Sequence, residues 1–238
     1  MLGLYHRIDI ALCARRIYRR GDPELQWLPG LVTRGRRALD IGANRGVYAY
    51  WLARVCKAVE AFEPNPGLAR ALASAHFKGV RVHTLALSDH TGSAALIVPP
   101  HRKGGLDTPS AHLESGADAG GGTRFDVKLA RLDEFAFTDV DFIKIDVEGF
   151  EESVLTGGWQ TITACRPVML IELIERLAPG CLGRVAERLA AIGYIARFLD
   201  DGAWLPLSRL GPGETGPSGR FMPNFLFLPV EQGRLIGA

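Results

Sequence analysis

One turn constrains this chain more than any other segment. "ALDIGANRG", residues 38–46, follows a run of arginines and precedes the apolar stretch Val47 to Cys56. An apolar strand ends in an acid, Asp40, and the chain bends through Gly42 and Gly46 into a helix. A strand buried on both sides and followed at once by a helix belongs to a parallel sheet with helices on both faces.

The rest of the sequence repeats that alternation. "AVEAFEP" reads as a second strand and Pro66 to Phe77 as its helix, "VRVHTLALSD" as a third strand, and "GSAALIVPP" as an added β-ribbon. "DFIKIDVEG" and "RPVMLIELI" read as further central strands, "EESVLTGGWQTI" and "CLGRVAERLAAIGY" as helices, and "NFLFLP" as the last strand. No internal repeat is visible. The expected organisation is an N-terminal helical segment over residues 1–34 and one domain over 35–238, with a glycine-rich insert at about 99–124 that reads as a lid or a disordered loop.

The turn reads as a nucleotide site, and its spacing narrows the nucleotide. A dinucleotide fingerprint needs G-x-G-x-x-G so that the backbone can approach a pyrophosphate. Counted from Gly42, the second and third glycine places hold Asn44 and Val47, which disfavours an NAD(P)-dependent oxidoreductase. Glu63 ends the second strand, where a carboxylate can accept hydrogen bonds from both ribose hydroxyls and would repel a 2′-phosphate. Asp40 and Glu63 together describe a nucleoside ligand with no essential phosphate contact. S-adenosylmethionine (SAM) fits, its sulfonium and ammonium charges suiting a pocket edged by Asp40 and Asp146. Ser88 and Asp89, closing "LALSD", offer either an adenine contact or an ordinary turn.

These segments resemble the FkbM family of SAM-dependent methyltransferases, within the class I Rossmann-like fold. "ALDIGANRGVYAYWLA", "VEAFEPNP", "LALSDHTGSAAL", "RLDEF", "DFIKIDVEGFEESVLTGG" and "RPVMLIEL" carry the resemblance in order across residues 38–172, "IKIDVEGFE" being the most specific. The resemblance implies a seven-stranded, mostly parallel sheet with an antiparallel last strand. It also implies methyl transfer to a hydroxyl of a sugar, a lipid-linked saccharide or a secondary metabolite. By position it assigns Asp40, Gly42, Asn44, Gly46 and Tyr48 to the SAM turn and Glu63 and Asn65 to the ribose side. Ser88 and Asp89 go to the adenine side, and Asp146 with Glu148 to the strand beside the methyl donor.

An alcohol is a poor nucleophile at neutral pH, so such an enzyme needs a base, or a metal to acidify the hydroxyl. The candidate catalytic residues are Asp146, facing the donor, and Glu148 or Glu172 as the base. Asp146 and Glu148 would point to opposite sides unless the strand ends between them, which Gly149 permits. No spacing demands a metal. His90, His101 and His112 lie near or within the insert and read as exposed loop histidines. The acids at 146, 148 and 172 speak against an inactive SAM-binding module.

Composition excludes some partners. With 28 Lys and Arg against 26 acids the formal charge is +2, too small for a nucleic-acid footprint, and "IDVE" lacks the clamp that grips a flipped base. The four cysteines form no CxxC pair, which fits a reducing, cytoplasmic setting, and no uninterrupted apolar run is long enough for a membrane span. "MLGLYHRIDIALCARRIYRRGD" reads as a helix with arginines near its C-terminal end. It either packs on the domain or touches an anionic membrane or acidic partner.

Overall fold

The computed structural model describes residues 2–32, 36–99, 112–113 and 122–236. Most of the insert expected at 99–124, with His101 and the side chain of His112, lies outside the described residues. In chain order come α1 (Leu2–Arg20), α2 (Leu28–Leu31), β1 (Arg37–Ile41), α3 (Val47–Leu52), β2 (Ala58–Phe62), α4 (Pro66–Ser74), β3 (Val80–His83) and β4 (Ala86–Leu87). Then follow β5 (Gly92–Val98), β6 (His112–Leu113), β7 (Thr123–Ala130), β8 (Val140–Ile145), α5 (Glu151–Gly157), α6 (Trp159–Cys165) and β9 (Val168–Glu172). The chain closes with α7 (Cys181–Ala190), β10 (Tyr194–Asp200), β11 (Ala203–Pro206) and β12 (Asn224–Pro229).

The main sheet runs β11-β10-β12-β9-β8-β1-β2-β3. Strands β3, β2, β1, β8 and β9 are mutually parallel, and β12 inserts antiparallel between β9 and β10. Successive residues of a strand face opposite sides, so Ala38, Phe142 and Leu170 join a core under α1 to α4, whereas Leu39, Ile143 and Met169 join the core under α5 to α7. Burial on both faces accounts for the nearly unbroken apolar runs of β1, β8 and β9.

The expected α/β architecture is present with three differences. The sheet has eight strands rather than seven, because β10 folds back on β11 through Asp201-Gly202. Both turn residues have positive φ, 45° and 78°, as a two-residue hairpin turn requires. "VRVHTLALSD" is not one strand: β3 ends at the sheet edge, and β4 pairs with β7 in a second sheet of order β4-β7-β5-β6. The expected ribbon is the antiparallel pair β5 and β7 in that sheet. "EESVLTGGWQTI" is two helices, broken at Gly158, where Gly157 lies so close to the Ser88 carbonyl that a Cβ would come within 1.9 Å of its oxygen.

Helix α1 lies on α3 and α4 with Ile10 and Ala14 buried. The Trp51 indole N–H donates to the Ala14 carbonyl at 3.2 Å, and Tyr18 packs on the Trp51 ring at 4.6 Å between centroids. Among the described residues no helix is long and apolar enough to cross a membrane. All four cysteines are free.

Candidate active site

The parallel strands all end at one edge of the sheet, and the site assembles there. Gly42 holds φ +80° and its amide, like that of Ala43, donates to the Phe62 carbonyl at 3.0 Å. A Cβ on Gly42 would lie 1.8 Å from the Asp146 carbonyl oxygen, so only glycine lets the ends of β1 and β8 approach this closely. Asn44 and Gly46 are also left-handed, at φ 46° and 74°. The buried Asp40 carboxylate accepts the Ala49 N–H at 2.7 Å and so anchors the first turn of α3.

Glu63 ties two loops together: its oxygens accept the N–H groups of Asn44 at 2.6 Å and Asn65 at 2.7 Å. Burial pushes both Asp40 and Glu63 up to about 7, against the opposing pull of these backbone donors. Asn65 serves the fold directly, its Oδ1 capping α4 by accepting from Gly67 at 2.9 Å and Leu68 at 3.3 Å.

A cavity opens over this edge. Gly42, Asn44 and Glu63 wall one side, Leu85 to Leu87 another, and Asp146 and Phe150 a third. A neighbouring hollow of about 190 Å³ shares Gly42, Asn44 and Asp146 with it and adds Asp22, Asp40, Tyr48 and Lys144. Among the described residues the buried Oδ1 of Asn44, which borders both, has no hydrogen-bond partner.

Three acids converge beside the cavity. Strand β8 ends at Ile145, so Asp146 and Glu148 are released from strand alternation, and left-handed Glu148 and Gly149 (φ 53° and 98°) turn the chain. Glu151 secures that turn by accepting from Gly149 at 3.0 Å. Carboxylate oxygens of Asp146, Glu148 and Glu172 thereby lie within 4.8 Å of one another. Burial, the Asp146 charge and a hydrogen bond with Asp146 raise Glu172 to about 9, so this carboxyl is protonated at neutral pH. Such a cluster can share a proton or hold a cation.

A buried cation, Lys144, faces the acids. Its buried Nζ lies 3.5 Å from Asp146 Oδ2, donates to Asn224 Oδ1 at 3.0 Å, and sits 5.2 Å from the Tyr48 ring centre. Burial opposes its charge, but Asp146, Glu172, Asp22 and Glu24 outweigh burial and raise its pKa. Sequence reasoning missed Lys144, Asp22, Glu24 and Asn224. A lysine inside the apolar "DFIKID" was the available signal for the first; the others carry none, being brought in by the antiparallel register Asn224 to Glu172 and by the 3₁₀ turn Pro23–Gln26.

Gly42, Asn44, Glu63, Asp146 and Glu148 thus line the cavity, Asp40 and Tyr48 line the hollow that adjoins it, and Glu172 meets the other two acids without lining either. Gly46 packs on Leu72 behind the cavity. Ser88 and Asp89 are not among the cavity walls: Ser88 is buried and donates to Asp89, and exposed Asp89 binds His90 at 2.6 Å.

A family model described as "Methyltransferase FkbM domain" matches residues 40–196. Among solved structures, the fold is similar to methyltransferase FkbM from Methylobacillus flagellatus KT. The two share 16% identity at TM-score 0.51, over 81% of this chain and 43% of that one, so this chain spans less than half of that protein's length. It is more loosely similar to SMU.1697c, a putative methyltransferase from Streptococcus mutans solved with SAH (9% identity, TM-score 0.48, 86% of this chain and 94% of that one). A TehB-like SAM-dependent methyltransferase from Corynebacterium glutamicum compares at 14% identity and TM-score 0.47, over 94% of this chain and 98% of that one. No curated protein matches the sequence. With the family model spanning most of the sheet, from the acid of the glycine turn into β10, the chain belongs to the FkbM methyltransferase family.

Proposed function

We propose that this chain is a SAM-dependent O-methyltransferase acting on a hydroxyl of a saccharide, a lipid-linked sugar or a secondary metabolite. The observation that carries the reading is that Glu63 and Asp146, from the ends of β2 and β8, wall one cavity whose floor is the glycine turn. The residues fit the cofactor: Asn44 Oδ1 is a buried acceptor without a donor among the described residues, which an ammonium or hydroxyl would satisfy. Bound SAM supplies an electrophilic methyl group on a cationic sulfur.

Glu63 keeps free lone pairs for ribose hydroxyls while its backbone bonds fix its orientation. Leu85 to Leu87 and Phe150 offer apolar surface to a base. A third cavity, of about 620 Å³, shares Asp22 with the Lys144 hollow and is lined by Tyr18, Arg19, Arg20, Arg220 and Phe221. Aromatic faces among charged donors suit a hydroxylated acceptor, and this cavity is its proposed site. Glu172, once deprotonated, is the proposed general base, with Asp146 and Glu148 as the negative surroundings that make it a strong one.

Calorimetric titration with SAM, S-adenosylhomocysteine and NAD tests the donor site. The two sulfur ligands are expected to bind and NAD not to, with Glu63→Ala weakening SAM by about 100-fold, the loss of two charge-assisted hydrogen bonds. Tight NAD binding, or an unaffected alanine variant, overturns the reading. The pH dependence has a definite sign. Glu63 is half-protonated near 7 without ligand, and ribose hydroxyls favour its carboxylate, so SAM affinity should fall as pH drops through 7, by up to about tenfold per unit, with proton release on binding.

Turnover has a separate signature. Because Glu172 titrates at about 9, kcat should climb with pH toward that value. Glu172→Gln should lower kcat by about 10² to 10⁴ and flatten the climb. An unchanged profile in the variant assigns the base elsewhere.

A further inference from the structure

Helix α1 buries one face on α3 and α4 and leaves an apolar stripe facing outward. Leu4, Ile8 and Leu12 recur one turn apart on that stripe and are 65%, 51% and 60% exposed, with Tyr5 beside them at 66%. Buried Ile10 and Ala14 hold the helix in place, so the stripe cannot turn inward. The same outward side continues into Arg15, Arg16, Arg19 and Arg20, all exposed. With Leu12 these four arginines surround an open hollow of about 370 Å³. The one acid of the helix, Asp9, is engaged by Arg45 at 3.0 Å.

We infer that this face of α1 docks on an anionic lipid surface, its leucines and isoleucine entering the headgroup–acyl boundary and its arginines taking lipid phosphates. Two features select a lipid surface over a second copy of the chain. A stable protein interface takes about 20 to 30 residues a side, whereas the stripe is the face of one helix, and the hollow that Leu4, Ile8 and Leu12 share with Tyr50 and Phe77 is edged by the cationic side chains of Arg7, Arg15 and Arg54. The arginine end also carries no counter-charge on the helix itself, as binding to an anionic surface requires. The inference is independent of the methyltransferase reading, although Arg19 and Arg20 border the proposed acceptor cavity as well.

The test is co-sedimentation of the full chain with vesicles of phosphatidylcholine alone and of phosphatidylcholine mixed equally with phosphatidylglycerol. Uptake is expected on the mixed vesicles only, weakening as salt rises. The triple variant Leu4→Ser, Ile8→Ser, Leu12→Ser should lower uptake by about tenfold or more, and Arg15→Gln with Arg16→Gln should reduce both uptake and its salt dependence. The replaced side chains are exposed, so the variants should keep the wild-type melting temperature. Equal uptake on neutral vesicles, no uptake on anionic ones, or wild-type uptake by the triple variant overturns the inference. Concentration-dependent dimerisation that the triple variant abolishes, without vesicle uptake, gives the face to a second copy instead.

Discussion

Gly42→Ala is expected to lower the melting temperature by roughly 10 °C and to abolish SAM binding. The added Cβ would lie 1.8 Å from the Asp146 carbonyl oxygen and 2.8 Å from its carbon, and both belong to backbone held by the Asp146 amide's 3.0 Å bond to Ile41. Neither strand end can swing away without breaking that bond. The left-handed φ of +80° adds roughly 1 to 2 kcal/mol for a residue with a side chain. Clash and strain together belong with the largest single-site effects, about 4 kcal/mol, which for a chain of this size is roughly 8 to 16 °C. Gly46→Ala is the control. Its Cβ would meet the Leu72 Cδ1 at 2.5 Å, the far end of a side chain that can rotate, so only about 1 to 2 kcal/mol should be lost. Equal melting temperatures for the two variants would mean that β1 and β8 do not approach as described.

Lys144→Met is the second large effect. Methionine keeps the aliphatic stem but removes the buried cation whose charge balances Asp146, Asp22, Glu24 and Glu172. Breaking a buried ion pair on one side costs about 3 to 5 kcal/mol, because the remaining carboxylates are left uncompensated. The sign of its pH dependence follows from the acids. Burial already raises Glu24 to about 7 and Glu172 to about 9, and Lys144 holds both lower than they would otherwise be. Without the lysine both move further up. The stability deficit of Lys144→Met should therefore be largest above pH 7 and shrink in acid as the carboxyls take up protons. The kcat–pH curve should shift to higher pH in parallel. Denaturant melts at pH 5 and pH 8 read the first effect; a deficit equal at both would show that Lys144 acts through packing alone.

The elements legible in the sequence are those written in local spacing. The strand–turn–helix at 38–52, the acid closing β2 and the apolar runs of β8 and β9 follow from periodicity and glycine placement within short windows. Gly42 could be marked as a tight turn, but not as the point where β1 meets β8, because its closest neighbour is Asp146, far along the chain. Ser88 and Asp89, which the sequence leaves as either an adenine contact or an ordinary turn, follow β4, and only the fold shows that β4 leaves the main sheet to pair with β7 while the neighbouring Leu85 to Leu87 line the cavity.

The sequence by itself determined the α/β class, the glycine turn, the two strand-end acids at 40 and 63 and the conditional pairing of Asp146 with Glu148, since each depends on residues a few positions apart. Only the tertiary structure decided that Glu172 joins those acids, that Lys144 balances them, that Asn65 is spent on a helix cap and that α1 turns a leucine stripe outward. The physical reason is range. Backbone conformation and burial pattern are set by near neighbours, whereas a carboxylate's protonation and a helix face's exposure depend on what the fold brings within a few ångströms from elsewhere in the chain.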